Sequence, residues 1–428
     1  MKVFNQNRWA LALMVAFGLN APVAPAFAAD LALVGGDIYL ASGKKLENAT
    51  VVISRGRISR IGKGAIIPKG AKSIDCRGKW ITPGFIDAMT QVGLVEVSLE
   101  SSTVDGRPSK PDPIRSAIRV DDAVNMRSSL VAVARRHGVT SVVSRPEGGL
   151  ISGRSSWLDL MAPSSPSFDR AVSAPIAMHA VAGEAAARSV FGSRAAAMTH
   201  LAEVFDDARV FSKNRKRFFG RDLYDLTVSR RDLEALGSVL KGRMPFIVRA
   251  QRASDIQAVL WFARRERIRI GIVGAAEGWL VADELAKARV PVLVDPLANL
   301  PSSFEARNAR SDNAALLAKA GVRLGFSTMR THNVSDLRFV AGAAIRNGVP
   351  RDKALAAVTA VPAQMFGLGA RYGELRRGYI ANVVVWSGDP FEPASRAETV
   401  IVRGEVQPTA SRQSQLAERY IRKLGLIR

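Results

Sequence analysis

Pro83-Gly84-Phe85-Ile86-Asp87-Ala88-Met89-Thr90-Gln91 is the stretch on which the reading of this 428-residue chain turns. A Pro-Gly turn opens it, and a short apolar run follows, as in a buried strand. Strand residues two apart point to the same side, so Met89 and Gln91 are expected to share one face at the strand end. Comparable runs recur at 139–144, 174–180, 245–250, 268–274, 290–294 and 322–327. Helical periodicity lies between or after them, clearest over 121–136, 193–207, 230–241, 253–266, 278–288 and 351–357. Ser254 and Ser311 read as N-caps. Strands alternating with helices predict a parallel α/β sheet or barrel, and residues 152–160 are the best position for an eighth strand or an extra hairpin.

The two ends of the chain differ from this middle. Residues 31–80 read as short strands broken by turns at Gly35-Gly36, Ser42-Gly43, Arg55-Gly56-Arg57 and Pro68-Lys69-Gly70, and residues 373–406 have the same character. Such segments need a partner surface for their apolar faces. The tail spaces Leu416, Tyr420, Ile421 and Leu424 at helical intervals, which predicts an amphipathic helix that packs, protrudes or meets a partner.

The first 28 residues have the pattern of a signal peptide: Lys2 and Arg8, an apolar core from Trp9 to Leu19, and Ala26-Phe27-Ala28 before Ala29. The expected product is a periplasmic or secreted protein cleaved near Ala28. No stretch reaches the roughly 20 apolar residues that a membrane span needs. The mature length suits one (β/α)8 barrel with a small accessory domain. Cys76 is the one cysteine, so an internal disulfide and a cysteine-based zinc site are both excluded.

Formal charge is +23, and +21 once Lys2 and Arg8 leave with the leader. The basic residues are spread along the chain, which does not predict nucleic-acid binding. The densest run, Lys213-Asn214-Arg215-Lys216-Arg217-Phe218-Phe219-Gly220-Arg221, is either a solvated face or a contact for lipid headgroups, wall polymer or an acidic protein.

Leu31 to Gly36, Asn48 to Ile53, Gly56-Arg57-Ile58, Asp75 to Gly78, Ile81 to Asp87, Thr359 to Gly367, Gly378 to Trp386, Gly388-Asp389-Pro390 and Val400 to Gly404 occur in an order and spacing that resembles the amidohydrolase superfamily. The likeness is to its imidazolonepropionase-like and Xaa-Pro-dipeptidase-like members and covers nearly the whole mature chain. It implies a TIM-like (β/α)8 barrel over 81–372, a β-sandwich built from 29–80 and 373–407, and a C-terminal helix over 408–428. It also implies hydrolysis of non-peptide C–N bonds, such as cyclic amides, or of dipeptides, with zinc or another divalent metal at the strand ends.

Those metal positions depart from the family pattern. Met89 and Gln91 stand where the resemblance implies His-x-His, Arg249 where it implies a further imidazole, and Ser327 or Thr328 where it implies the proton-accepting Asp. No Lys occurs between Lys110 and Lys213 to serve as a carbamylated bridge, and residues 270–277 offer no His. Thioether and amide groups do not replace imidazole or carboxylate on Zn²⁺, so no metal cofactor is expected. Arg249 is expected either to form an internal ion pair with Asp87 or Glu277 or to face an anion.

The remaining pocket candidates are Glu277, Arg154 and the Gly-rich loop 145–156 that carries it. Three functions stay open. One is a non-catalytic subunit that binds a small molecule or pairs with itself or with an active amidohydrolase. Another is a hydrolase with a rebuilt site drawing on His332, His179, Glu96, Asp87 or Ser327; the third is a protein that binds anionic surfaces. His137 and His200 read as structural.

Overall fold

The computed structural model describes residues 30–108, 112–214, 226 and 228–426. The leader and residues 215–221 of the basic run lie outside the described residues.

Eight strands from the two ends of the chain form one sheet. They are β1 (Leu31–Tyr39), β2 (Lys45–Ser54), β3 (Arg57–Gly62), β4 (Lys72–Asp75) and β5 (Trp80–Pro83), joined by β14 (Val383–Trp386), β15 (Ala397–Val402) and β16 (Glu405–Val406). The junction is antiparallel, with Pro83 opposite Val383 and Trp80 opposite Trp386. Leu33, Ile38, Val51 and Ile53 pack there with Val383, Val385 and Ile401, so each terminal segment supplies the apolar surface that the other needs.

The second sheet is the barrel, in the order β6 (Phe85–Thr90), β7 (Val139–Ser144), β8 (Ile151–Asp159), β9 (Val172–Val181), β10 (Phe246–Ala250), β11 (Ile270–Gly274), β12 (Val292–Val294) and β13 (Leu324–Phe326). The eighth strand is therefore β8, but it runs antiparallel to both neighbours. Its direction follows from loop length. A parallel connection needs a dozen or more residues, and loop 145–150 is too short for a crossover helix.

No ladder joins β13 back to β6, so the barrel is nearly closed rather than closed. The seam is held by other groups: the Ile86 N–H donates to the Val358 carbonyl at 2.8 Å, and the Asp87 carboxylate binds Ser327 and Thr328. Where the barrel meets the terminal sheet, the Trp386 and Phe85 rings meet at a tilt, their centroids 5.1 Å apart. Gly138 closes the preceding helix there with φ +85°, and a Cβ would lie 2.2 Å from the Trp386 ring.

Several helix boundaries depart from the sequence reading. The helix expected over 121–136 is Ser129–Arg136, because Ser128 accepts from the Leu130 N–H at 3.3 Å and starts it late. Residues 278–288 divide into a 3₁₀ turn, Gly278–Val281, and the helix Ala282–Lys287. Ser254 is not a cap: helix Ala253–Glu266 begins before it, and the Glu277 carboxylate receives the Ala253 N–H at 3.0 Å. Asp312, not Ser311, precedes helix Asn313–Lys319. Helix Arg412–Lys423 ends the described chain, and among the described residues no helix is long and apolar enough to cross a membrane.

Candidate functional site

In barrels of this kind the C-terminal strand ends carry function, and here they surround a cavity of about 560 Å³. Met89, Arg145, Arg249, Gln251, Asp295 and Met329 line it, from five different strand ends or the residues just after them. Arg145, Asp295 and Met329 were not singled out from the sequence. The available signal was positional: Arg145 follows β7 directly, and Asp295 follows β12 directly.

Met89 and Gln91 do not share the cavity. Strand β6 ends at Thr90 and its pairing with β7 shifts between Asp87 and Thr90, so Met89 faces the cavity while Gln91 turns away. Gln91 lies against Gly106, where a Cβ would sit 2.3 Å from Nε2, and that amide nitrogen is buried without a partner among the described residues.

Asp87, Ser327 and Thr328 are fully buried at the seam and do not line the cavity. Ser327 Oγ donates to Asp87 Oδ1, and Thr328 donates to Oδ2 through both its hydroxyl, at 2.5 Å, and its N–H, at 3.2 Å. Burial pushes the Asp87 carboxyl up to about 6, against the pull of these donors.

The two histidine candidates stand apart. His179 is buried at the end of β9, its Nε2 2.8 Å from Ser155 Oγ. Burial, reinforced by the Arg145 charge, holds its pKa well below the usual imidazole value, so it is neutral at neutral pH. His332 is exposed, and its Nε2 meets the Glu96 carbonyl at 2.9 Å. Glu96 itself accepts from Asn125 at 3.1 Å and from Ser128, the cap of helix Ser129–Arg136, at 2.8 Å.

The expected ion pair of Arg249 with Asp87 or Glu277 does not form. Asp87 is committed to the seam, and Glu277 holds the Ala253 N–H and Asn308 Nδ2, the latter at 2.8 Å. Arg249 is exposed to the cavity and has no hydrogen bond or ion pair among the described residues. Burial disfavours the charge of neighbouring Arg145; Glu147, 3.5 Å away, supports that charge, and Arg249 opposes it.

The Gly-rich loop serves the chain as much as the cavity. Arg145 and Glu147 reach the lining, but Gly149, at φ +70°, would place a Cβ 2.8 Å from the Asp112 carbonyl. Its glycines thus admit the segment 112–115. Arg154 points away from the mouth and donates to the Ala117 carbonyl at 2.7 Å.

Among the described residues no three His, Cys, Asp or Glu side chains gather where they could share an ion, and the positions that the resemblance assigns to ligands hold a thioether, an amide and a guanidinium.

Residues 229–407 match the family model for the amidohydrolase family Amidohydro_3. Amidohydrolase tasK of Hapsidospora irregularis is 24% identical over 389 residues, covering 83% of this chain and 39% of that protein, so the chain spans about two-fifths of that relative's length. An amidohydrolase from Thermotoga maritima MSB8 has the same fold, with TM-score 0.79 and 24% identity over 88% of this chain and 99% of that one. A prolidase complexed with N-methylphosphonate-L-proline gives 0.55 and 19% over 88% and 99%. A zinc-bound adenosine deaminase from Xanthomonas campestris gives 0.54 and 16% over 92% and 98%. Residues 229–407 thus resemble the amidohydrolase family, and the chain shares its fold with these solved structures.

Proposed function

We propose that this chain is a non-catalytic member of the superfamily, exported through its leader, whose barrel mouth binds a small carboxylate or phosphate. It would act as a ligand-binding or partner subunit, alone or beside an active relative. The observation that carries the reading is the unpaired Arg249 guanidinium facing the cavity.

Each cavity carboxylate already has a donor: Glu147 has Arg145, Glu184 has Arg188, Glu305 has Arg194, and Asp295 has the Leu297 N–H. Of the cavity's cations, Arg145 and Arg188 are paired and Arg249 is left for a ligand. A guanidinium opposes a divalent cation but matches an oxyanion with two parallel hydrogen bonds. The cavity, about 560 Å³, falls in the range of small-molecule sites. Hydrolysis without a metal would need a base poised beside a nucleophile, whereas His179 is spent on Ser155 outside the lining and His332 lies at the surface.

The test joins metal analysis to binding. Protein purified without chelators is assayed for zinc, iron and manganese, then titrated by calorimetry with succinate and with inorganic phosphate. The expected result is substoichiometric metal, and saturable binding of at least one anion that Arg249→Ala abolishes. One metal per chain with chelator-sensitive hydrolysis would overturn the non-catalytic reading; binding unchanged in Arg249→Ala, or no binding of either anion, would overturn the oxyanion site.

A further inference from the structure

Helix Arg412–Lys423 is built with care at one end and left uncovered along its length. Ser411 and Ser414 form a capping box, with Ser414 N–H to Ser411 Oγ at 3.2 Å and Ser411 N–H to Ser414 Oγ at 2.8 Å. Arg136 also donates to Ser411 Oγ at 3.2 Å, which ties the helix start to the barrel. Beyond the cap, no residue of the helix is buried. Leu416 is 40% exposed, Tyr420 58%, Ile421 37% and Leu424 71%.

At 100° per residue these four side chains fall within an arc of about 140°, and Arg412, Arg419, Arg422 and Lys423 lie together in the arc that adjoins it on the Leu416 side, with Glu418 as the one acid. Glu418 is paired with Arg422. A helix of this length without a packed apolar face is marginal in water, so the stripe calls for a covering surface. The cations beside it select a negative one.

We infer that Arg412–Lys423 is an interfacial anchor, which lays its Leu416–Tyr420–Leu424 stripe into the headgroup boundary of an anionic lipid bilayer while its Arg and Lys side chains meet the lipid phosphates. Low helix hydrophobicity, a strong polar face and a tyrosine beside leucines suit a helix lying in the interface rather than crossing it. Attachment joins two contributions. Burial of the stripe does not depend on salt, and the cationic arc adds a salt-dependent attraction.

The test is flotation of the full chain with vesicles of pure phosphatidylcholine and with vesicles that also contain phosphatidylglycerol. Wild type is expected to float with the anionic vesicles and not with the neutral ones. Leu416→Gln/Leu424→Gln keeps every charge, and Arg419→Glu/Arg422→Glu keeps the stripe; each is expected to lower partitioning by about tenfold or more. All substituted side chains are exposed, and unchanged thermal unfolding of both variants verifies the fold. Undiminished flotation of the leucine variant would show that net charge alone attaches the protein, and would overturn the anchor. Failure of wild type to float, with a dimer by light scattering that the leucine variant dissociates, would overturn it in favour of a second copy on the stripe.

Discussion

Replacing Asp87 with asparagine removes a charge that the barrel seam holds at a cost. The carboxyl is fully buried and its pKa is pushed up from 3.8 to about 6, because desolvation outweighs the hydrogen bonds from Ser327, Thr328 and the Met89 N–H. An acid whose pKa is higher folded than unfolded binds its proton more tightly in the folded state. Its contribution to stability is therefore complete below the unfolded pKa and is lost as pH rises through the folded one. A gap of about 2 units is worth about 3 kcal/mol. Asparagine has nearly the same shape, and the Ser327 and Thr328 hydroxyls can turn to accept from its amide. It has no proton to lose.

Urea unfolding of both proteins, at steps from about pH 3.5 to 7.5, gives a stability difference at each pH in which the other carboxylates cancel. Wild type minus variant is expected to fall by about 3 kcal/mol as pH rises through the window from 3.8 to about 6, and to be level above it. A difference that stays flat would show that Asp87 titrates alike in both states. A difference that rises with pH would mean that the seam favours the carboxylate, and would refute the reasoning outright.

Two further predictions concern structure elsewhere. Asp159 is buried and receives Ser141, Trp157 and Asn382 on Oδ1 and Tyr372 and Arg403 on Oδ2, which ties the barrel to the terminal sheet. Asp159→Ala leaves Ser141, Trp157 and Tyr372 without this acceptor and the Arg403 charge without its carboxylate, and is expected to cost about 3–5 kcal/mol in urea unfolding; a loss under about 1 kcal/mol would show the network to be dispensable. Gly149→Ala forces a side chain into φ +70° against the Asp112 carbonyl and is expected to destabilise by more than about 1 kcal/mol, read as a lower urea midpoint.

How far the sequence could be read follows from which forces are local. Strand runs such as 139–144 and helix runs such as 351–357 were legible because apolar period and length are written along the chain, and both elements occupy those residues in the structure. The direction of β8 was not read, although the shortness of loop 145–150 contained it. The destinations of polar side chains were least legible. Glu277 serves as the cap of a helix that begins 24 residues earlier, and Asp87 meets partners 240 and 241 residues away, distances over which periodicity carries no signal. Gln91 was misread because a side-chain period of two holds only while the strand continues, and β6 stops at Thr90.

The seam explains how a barrel mouth can hold together with this set of strand-end residues. A site that gathers a metal can also draw several strand ends to one point. Here the first and last strands are joined instead by a carboxylate and two hydroxyls, buried beneath the cavity, with no donor left over for a ligand. The end of β10 is different: Arg249 is exposed and carries no structural bond. Changing it should leave stability within about 0.5 kcal/mol of wild type, as for ordinary exposed positions, whereas changing Asp87 should alter stability and its pH dependence. The two residues separate what the strand ends do for the fold from what they offer a ligand. Arg249→Ala is thus the cleaner probe of function, because loss of anion binding in a protein of unchanged stability has no explanation in the scaffold.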